Sequence, residues 1–257
     1  YWPPAGGPGV QRWLKFSKYL RDYDIEPVIY TIDNPTYPIL DSSSENEIPK
    51  GIEVLKQPIF ELNSILSFFG VHNKKESAGF LNPKPTLFGK MIQYIRANFF
   101  IPDARKFWIQ PSVKFLSNYL KNHKIDAIIS TGPPHSVHLI GLKLKKQLGI
   151  KWISDFRDPW TEIDYFKQLP LTKKATKKHH QLEQEVLVNS DMTIVVGETM
   201  KQRYLKHTSS IEVITNGFDT IQNSLPQKLD SNFSITHVGS MNSDRNPQIL
   251  WDVLKEI

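Results

Sequence analysis

Between Ser130 and Trp160 the chain twice carries an apolar strand pattern into a polar, proline-marked loop, reading STGPPHS and then SDFRDPW. Ile125 to Ser130 is the first strand run and Thr131 to His135 its loop. Ser136 to Leu148 then has helical periodicity and stops at Gly149, a residue type that ends helices in a left-handed turn. Lys151 to Ser154 opens the next strand. A strand, a helix and a second strand in this order close as a right-handed parallel crossover, and ligands of open parallel sheets sit beyond the carboxyl ends of the strands. Asp155, Arg157 and Asp158 crowd that exit, flanked by Trp152, Phe156 and Trp160. Three charges in four residues among aromatic rings point to a site; a structural Asp-Arg pair holding a turn is the competing explanation.

The same alternation extends along the chain. Strands are predicted at Pro27 to Ile32, Gly51 to Leu55, Ile125 to Ser130, Lys151 to Asp155, Met192 to Val196 and Glu212 to Thr215, with a further one at Phe233 to Val238. Helices are predicted at Val10 to Asp22, Thr86 to Asn98, Pro111 to Asn122, Ser136 to Leu148, Thr172 to Asn189, Glu198 to Lys206 and Pro247 to Ile257. This is the α/β class: a Rossmann-like parallel sheet with helices on both faces. The opening YWPPAGGPGV reads as a loop that follows a strand, so the first strand of the fold is expected before Tyr1. The other end is expected to stop one βα unit into a second domain.

Composition narrows the chemistry. The 257 residues include no cysteine, which removes disulfides and thiolate metal sites. No run approaches the roughly 18 apolar residues of a membrane span, and no signal-peptide pattern opens the sequence. A net charge of +6 favours anionic partners without separating nucleotide, phospholipid and nucleic acid. Because the positive charges are spread along the chain, a nucleic-acid surface ranks last.

Gly6, Gly7 and Gly9 precede an amphipathic helix, where backbone N–H groups and the positive helix end suit a phosphate or a sugar hydroxyl. The spacing is G-G-x-G, not the dinucleotide fingerprint G-x-G-x-x-G, although Asp33 stands near the acidic position that fingerprint requires. Asp22 and Asp24 fall at a helix-to-strand turn and read as solvent-exposed. His179 and Glu183, at i and i+4, lack a third ligand nearby and read as surface; Glu183, Glu185 and Glu198 read as solvated helix charges, and His138 as a packing residue. Lys173, Lys174, Lys177 and Lys178 begin a helix where the dipole favours acids. Phe60 to Gly70 and Leu87 to Trp108 mix aromatic and aliphatic residues with Lys and Arg, which suits either a bilayer-facing insertion or a helical pair packed on the core.

YWPPAGGPGVQRWLKFSKYL, PDARKFW, STGPPHSVHLIG, WISDFRDPW, NSDMTIVVG and EVITNGFD together resemble the amino-terminal half of family 4 glycosyltransferases, nearest to a group from bacterial surface-polysaccharide synthesis. The resemblance implies a GT-B architecture. Residues 1–217 would be the acceptor-binding domain, with NGFD (Asn216 to Asp219) at the hinge, and residues 218–257 the start of the donor-binding domain. It also implies a retaining, metal-independent transfer from a nucleotide sugar, with no cofactor, to a glycan or a lipid-linked acceptor. The implied setting is the cytoplasm at the inner face of the membrane. Gly6, Gly7, His135 and Ser136 would line the acceptor side. Asp155, Arg157 and Asp158 would stand where relatives often place a histidine, which is absent here. Gly239 and Arg245 would receive the donor diphosphate, and Ser240 stands where many relatives carry arginine.

Breaking a bond to a nucleoside diphosphate builds negative charge on the leaving oxygen and positive charge on the sugar, so preorganised Arg and N–H groups on one side and a carboxylate on the other supply the rate. Arg245 and the Gly6 to Gly9 loop fit the first role, Asp155 or Asp158 the second. Each also has a plain alternative: Arg245 a solvated loop charge, Asp155 a helix cap, Asp158 the partner of Arg157. By itself the chain is expected not to turn over, and its open sheet edge to be covered by homodimerisation. An NAD(P)-dependent oxidoreductase is the second functional class, and a basic anion-binding module the third.

Overall fold

The computed structural model describes residues 1–33, 37, 39–59, 87–218, 230–239, 241 and 246–256. In chain order these form α1 (Pro8–Tyr19), β1 (Val28–Ile32), β2 (Glu53–Gln57), α2 (Leu87–Phe99), α3 (Ile109–Asn122), β3 (Ala127–Gly132), α4 (Ser136–Leu148) and β4 (Lys151–Phe156). There follow α5 (Lys173–Asn189), β5 (Met192–Val195), α6 (Glu198–Tyr204), β6 (Ile211–Val213) and α7 (Gln248–Glu256). The chain divides into two units, Tyr1–Gly217 and Phe218–Ile257.

Within the first unit β1 pairs with β2, and β3, β4, β5 and β6 form a second sheet in sequence order; every pairing is parallel. From β3 onward strand and helix alternate because each crossover must cover a sheet face, which places the protein in the α/β class with parallel sheets flanked by helices. The β3–β4 register sets Ser130 opposite Ser154, Thr131 opposite Asp155 and Gly132 opposite Phe156. This ladder extends β3 two residues beyond the predicted end at Ser130, since Thr131 and Gly132 still have partners on β4.

The crossover helix α4 shows how closely the layers meet. A Cβ on Gly141 would lie 2.2 Å from the indole nitrogen of Trp152, so only glycine lets the helix rest on that fully buried ring. Gly149 ends α4 at φ 68°, its N–H donating to Lys145 O. On α5 the buried positions are Ala175, His179, Leu182, Glu183, Val186 and Leu187, a 3.6-residue stripe that includes two polar side chains. Thr172 caps this helix through its side-chain oxygen, which accepts from Ala175 N at 3.2 Å. The four lysines near the start of α5 are exposed.

The predicted strand at Phe233 to Val238 is not formed. Those residues have no regular structure, and Phe233 and Val238 are almost fully exposed. A strand is stable only as a member of a sheet, and the described residues of the second unit include none to pair with it. That unit's described helix is α7, close to the predicted one. The predicted insertion at Phe60 to Gly70 lies outside the described residues.

Candidate functional site

At the carboxyl ends of β3 and β4 two polar centres lie side by side. Asp155, in the ladder opposite Thr131, is fully buried. Its Oδ1 accepts from Arg12 Nη2 at 3.1 Å. Its Oδ2 accepts from Trp13 Nε1 at 2.7 Å, from Thr131 Oγ1 at 2.8 Å and from Arg12 Nε at 3.3 Å. A buried carboxylate is tolerated only when paired and hydrogen-bonded, and here a planar guanidinium supplies both requirements. Arg12 is itself buried, and its remaining capacity goes to Thr215 O at 3.0 Å and Asn216 Oδ1 at 3.1 Å. α1 brings it there: Pro8 begins the helix behind Gly7, whose φ of 92° favours glycine.

Arg157 draws three loops together. Its guanidinium donates to Gly9 O at 2.7 Å, to Gly132 O at 3.3 Å and to Pro133 O, while its backbone N–H donates to Gly132 O at 3.0 Å. A Cβ on Gly9 would come within 2.7 Å of Nη1, so this approach also needs glycine. Burial lowers the Arg157 pKa, and Asp155 and Asp158 counter that shift. Asp158 lies exposed on the loop beyond.

The second centre is aromatic. The His135 ring stacks on Trp160 at 4.6 Å with 2° between planes, and His138 stacks on Phe156 at 4.4 Å. His138 is fully buried, and its Nδ1 shares a hydrogen bond of 2.8 Å with Ser130 Oγ, which also accepts from Trp152 Nε1. His135 Nδ1 and His138 Nε2 find no hydrogen-bond partner among the described residues. Burial, then the neighbouring His138, His179 and Arg157, holds the His135 pKa well below the usual histidine range, and burial with Arg157 pushes His138 down to about 3. Both imidazoles are therefore neutral at pH 7. Ser136 is buried at the start of α4, and its N–H donates to Asp103 Oδ2 at 2.8 Å. Asp103 thus caps α4 from 33 residues upstream, and burial raises its pKa.

Trp160 is fixed from the other side. Its Nε1 donates to His179 Nδ1 at 3.0 Å and its backbone N–H to Tyr204 OH at 3.2 Å. Glu183 accepts from Tyr204 OH at 2.8 Å, from Thr161 N at 3.1 Å and from Thr161 Oγ1 at 2.5 Å. His179 and Glu183, expected on a solvated surface, are buried here because both fall on the apolar stripe of α5. They form no metal centre: no cluster of three or more ligating residues exists among the described residues.

The structure brings Gly9, Gly132, His135, Asp155, Arg157 and Asp158 to one end of the sheet. Gly6 is committed elsewhere, its N–H donating to Ile39 O at 2.9 Å, whereas a Cβ on Gly7 would meet nothing within 4 Å. Gly239, with φ 131°, belongs to the second unit, and Arg245 lies outside the described residues. Sequence reasoning missed Arg12, Asp103 and Tyr204. Arg12 left one trace, a lone cation among Val10, Trp13 and Leu14.

Residues 78–222, more than half of the chain, match Glycosyltransferase Family 4, while no curated protein matches it. The match favours glycosyl transfer over the oxidoreductase alternative. The strand-exit loops, Rossmann-like layering and this match lead to one conclusion: the chain belongs to glycosyltransferase family 4.

Proposed function

We propose that the first unit binds the acceptor for transfer of a sugar from a nucleotide-diphosphate sugar to a glycan or lipid-linked hydroxyl, with retention of configuration and without a metal, in bacterial surface-polysaccharide synthesis at the inner face of the membrane. The observation that carries this proposal is the Arg157 clamp, which gathers the Gly9, Gly132 and Pro133 carbonyls at the strand exits beside a neutral, partly exposed His135. In the transfer the bond from the sugar to the diphosphate oxygen breaks, a bond to the acceptor oxygen forms, and the acceptor's proton leaves with the diphosphate. His135, its Nδ1 buried, meets an acceptor hydroxyl with the exposed part of its ring, which stacked Trp160 fixes in place. Gly7 borders the same acceptor, while Ser136, fully buried at the start of α4, acts behind that surface. Asp158 supplies the carboxylate facing the developing positive charge. Asp155, all of whose acceptor capacity is used internally, acts with Arg157 by positioning. Gly239 and Arg245 serve the donor diphosphate.

A lipid-linked acceptor is supported by α2, where Leu87, Met91, Tyr94, Ile95 and Phe99 form an exposed apolar stripe with Lys90 and Arg96 on the same helix. No helix among the described residues is long and apolar enough to cross a membrane, so the contact is peripheral. A covered sheet edge, by a second copy of the chain, belongs to the same proposal.

A thermal-shift panel of UDP-, GDP- and ADP-sugars, NAD and NADP on the full-length protein tests the proposal. One nucleotide sugar at 100 times its Kd adds about 2.7 kcal/mol of stability, and transfer persists in EDTA with the product anomer unchanged. Stabilisation by NAD or NADP alone overturns it.

A further inference from the structure

We propose that Arg12 and Asn216 are positioning residues for glycosyl transfer, forming a latch that fixes where the chain leaves the first unit. The inference rests on the transferase proposal only for its catalytic consequence. Arg12 is shared between two places. One edge of its guanidinium is bound to the buried Asp155 carboxylate at the end of β4. The other, through Nη1, holds Thr215 O at 3.0 Å and Asn216 Oδ1 at 3.1 Å. Thr215 and Asn216 follow β6 directly, and the second unit begins at Phe218.

Little else among the described residues holds this departing segment. Ile214 N donates to Val195 O at 2.9 Å, the last backbone bond of the β5–β6 ladder. Thr215, Asn216 and Gly217 are exposed, and a Cβ on Gly217 would meet nothing within 4 Å. A charge-assisted hydrogen bond from a guanidinium held by Asp155, itself fixed by Trp13 and Thr131, turns this exposed exit into a fixed pivot. The same Asp155 that orders the strand exits therefore also orders the route to the second unit.

The test is Asn216→Ala beside Asn216→Asp in the full-length protein, read by limited chymotrypsin cleavage after the exposed Phe218, by thermal melting and by steady-state transfer kinetics. Asn216 is exposed, so neither substitution disturbs the buried pair. Asn216→Ala is expected to raise the cleavage rate on the order of 5- to 30-fold, the population change from losing one charge-assisted hydrogen bond, with a melting temperature lowered by only about a few degrees. It lowers kcat and leaves KM unchanged. Asn216→Asp, which keeps an acceptor for Arg12, restores both. Equal cleavage in wild type and Asn216→Ala overturns the latch. Faster cleavage with unchanged kcat overturns its part in transfer. If the wild type transfers no sugar, the transferase proposal fails, and cleavage alone decides the latch.

Discussion

The two polar centres at the strand exits solve the burial of polar groups in opposite ways. Around Asp155 every hydrogen-bonding group is used: a carboxylate, a guanidinium, an indole N–H and a hydroxyl satisfy one another. Around His135 and His138 the rings are packed by stacking, and a nitrogen on each is left without a partner among the described residues. A saturated centre has nothing left to offer a ligand and serves as frame. An unsaturated one keeps hydrogen-bonding capacity at a site of low dielectric, where a new partner is worth most. The loop proposed to meet the acceptor is thus the less satisfied one.

Acid breaks this contrast most strongly, because it acts on the histidine side. His138 and His179 have folded pKa values of about 3 and about 4, against an unfolded value near 6.5. Between pH 6.5 and 4 the unfolded chain binds protons that the native protein does not, so stability is full above pH 6.5 and is lost as the pH falls. The two together remove roughly 5 kcal/mol by pH 4.5, and His138→Gln lowers the slope by about 1.4 kcal/mol per pH unit. Denaturant unfolding across that range measures it, and a slope unaffected by His138→Gln contradicts the assignment.

Arg12→Ala attacks the other centre. Leaving Asp155 buried without its guanidinium costs about 3–5 kcal/mol. A cost below about 1 kcal/mol would remove the distinction between frame and site. Glu183→Ala, which strands Tyr204 OH and Thr161, costs about 1–3 kcal/mol in the same measurement and loosens Trp160, visible as a shifted indole emission. His135→Ala gives the smallest stability change, about 0.5–1.5 kcal/mol from the lost stack, yet transfer falls at least about tenfold. Large loss of stability with unchanged transfer would reverse the roles of the two centres.

The skeleton was written in local signals. Ser136–Leu148 is read to the residue because prolines precede it and Gly149 follows, both of which act on the backbone nearby. The charges at 155–158 were legible as a cluster, but their division of labour was not. Asp155 is saturated by Arg12 from 143 positions earlier, a pairing that no local pattern encodes. Glu183 is the instructive miss: its residue type argued for solvent, while its place on the stripe from Ala175 to Leu187 argued for burial, and the period was the better guide. Phe233 to Val238 failed in the reverse direction, a strand composition with no described strand to join.

The separation of Arg12 from its partners also sets an order of events during synthesis. Asn216 leaves the ribosome 204 residues after Arg12, about 10–40 s later at ordinary elongation rates. Throughout that interval α1, twelve residues long, is too short to persist as a helix by itself. α1 therefore gains its apolar support early, from Ile29, Ile52 and Val54, while its Arg12 waits for the partners that fasten it. Nascent chains halted before β4 emerges expose an arginine-bearing amphipathic segment to chaperones and proteases, so their lifetime in the cell reports when this long-range closure is reached.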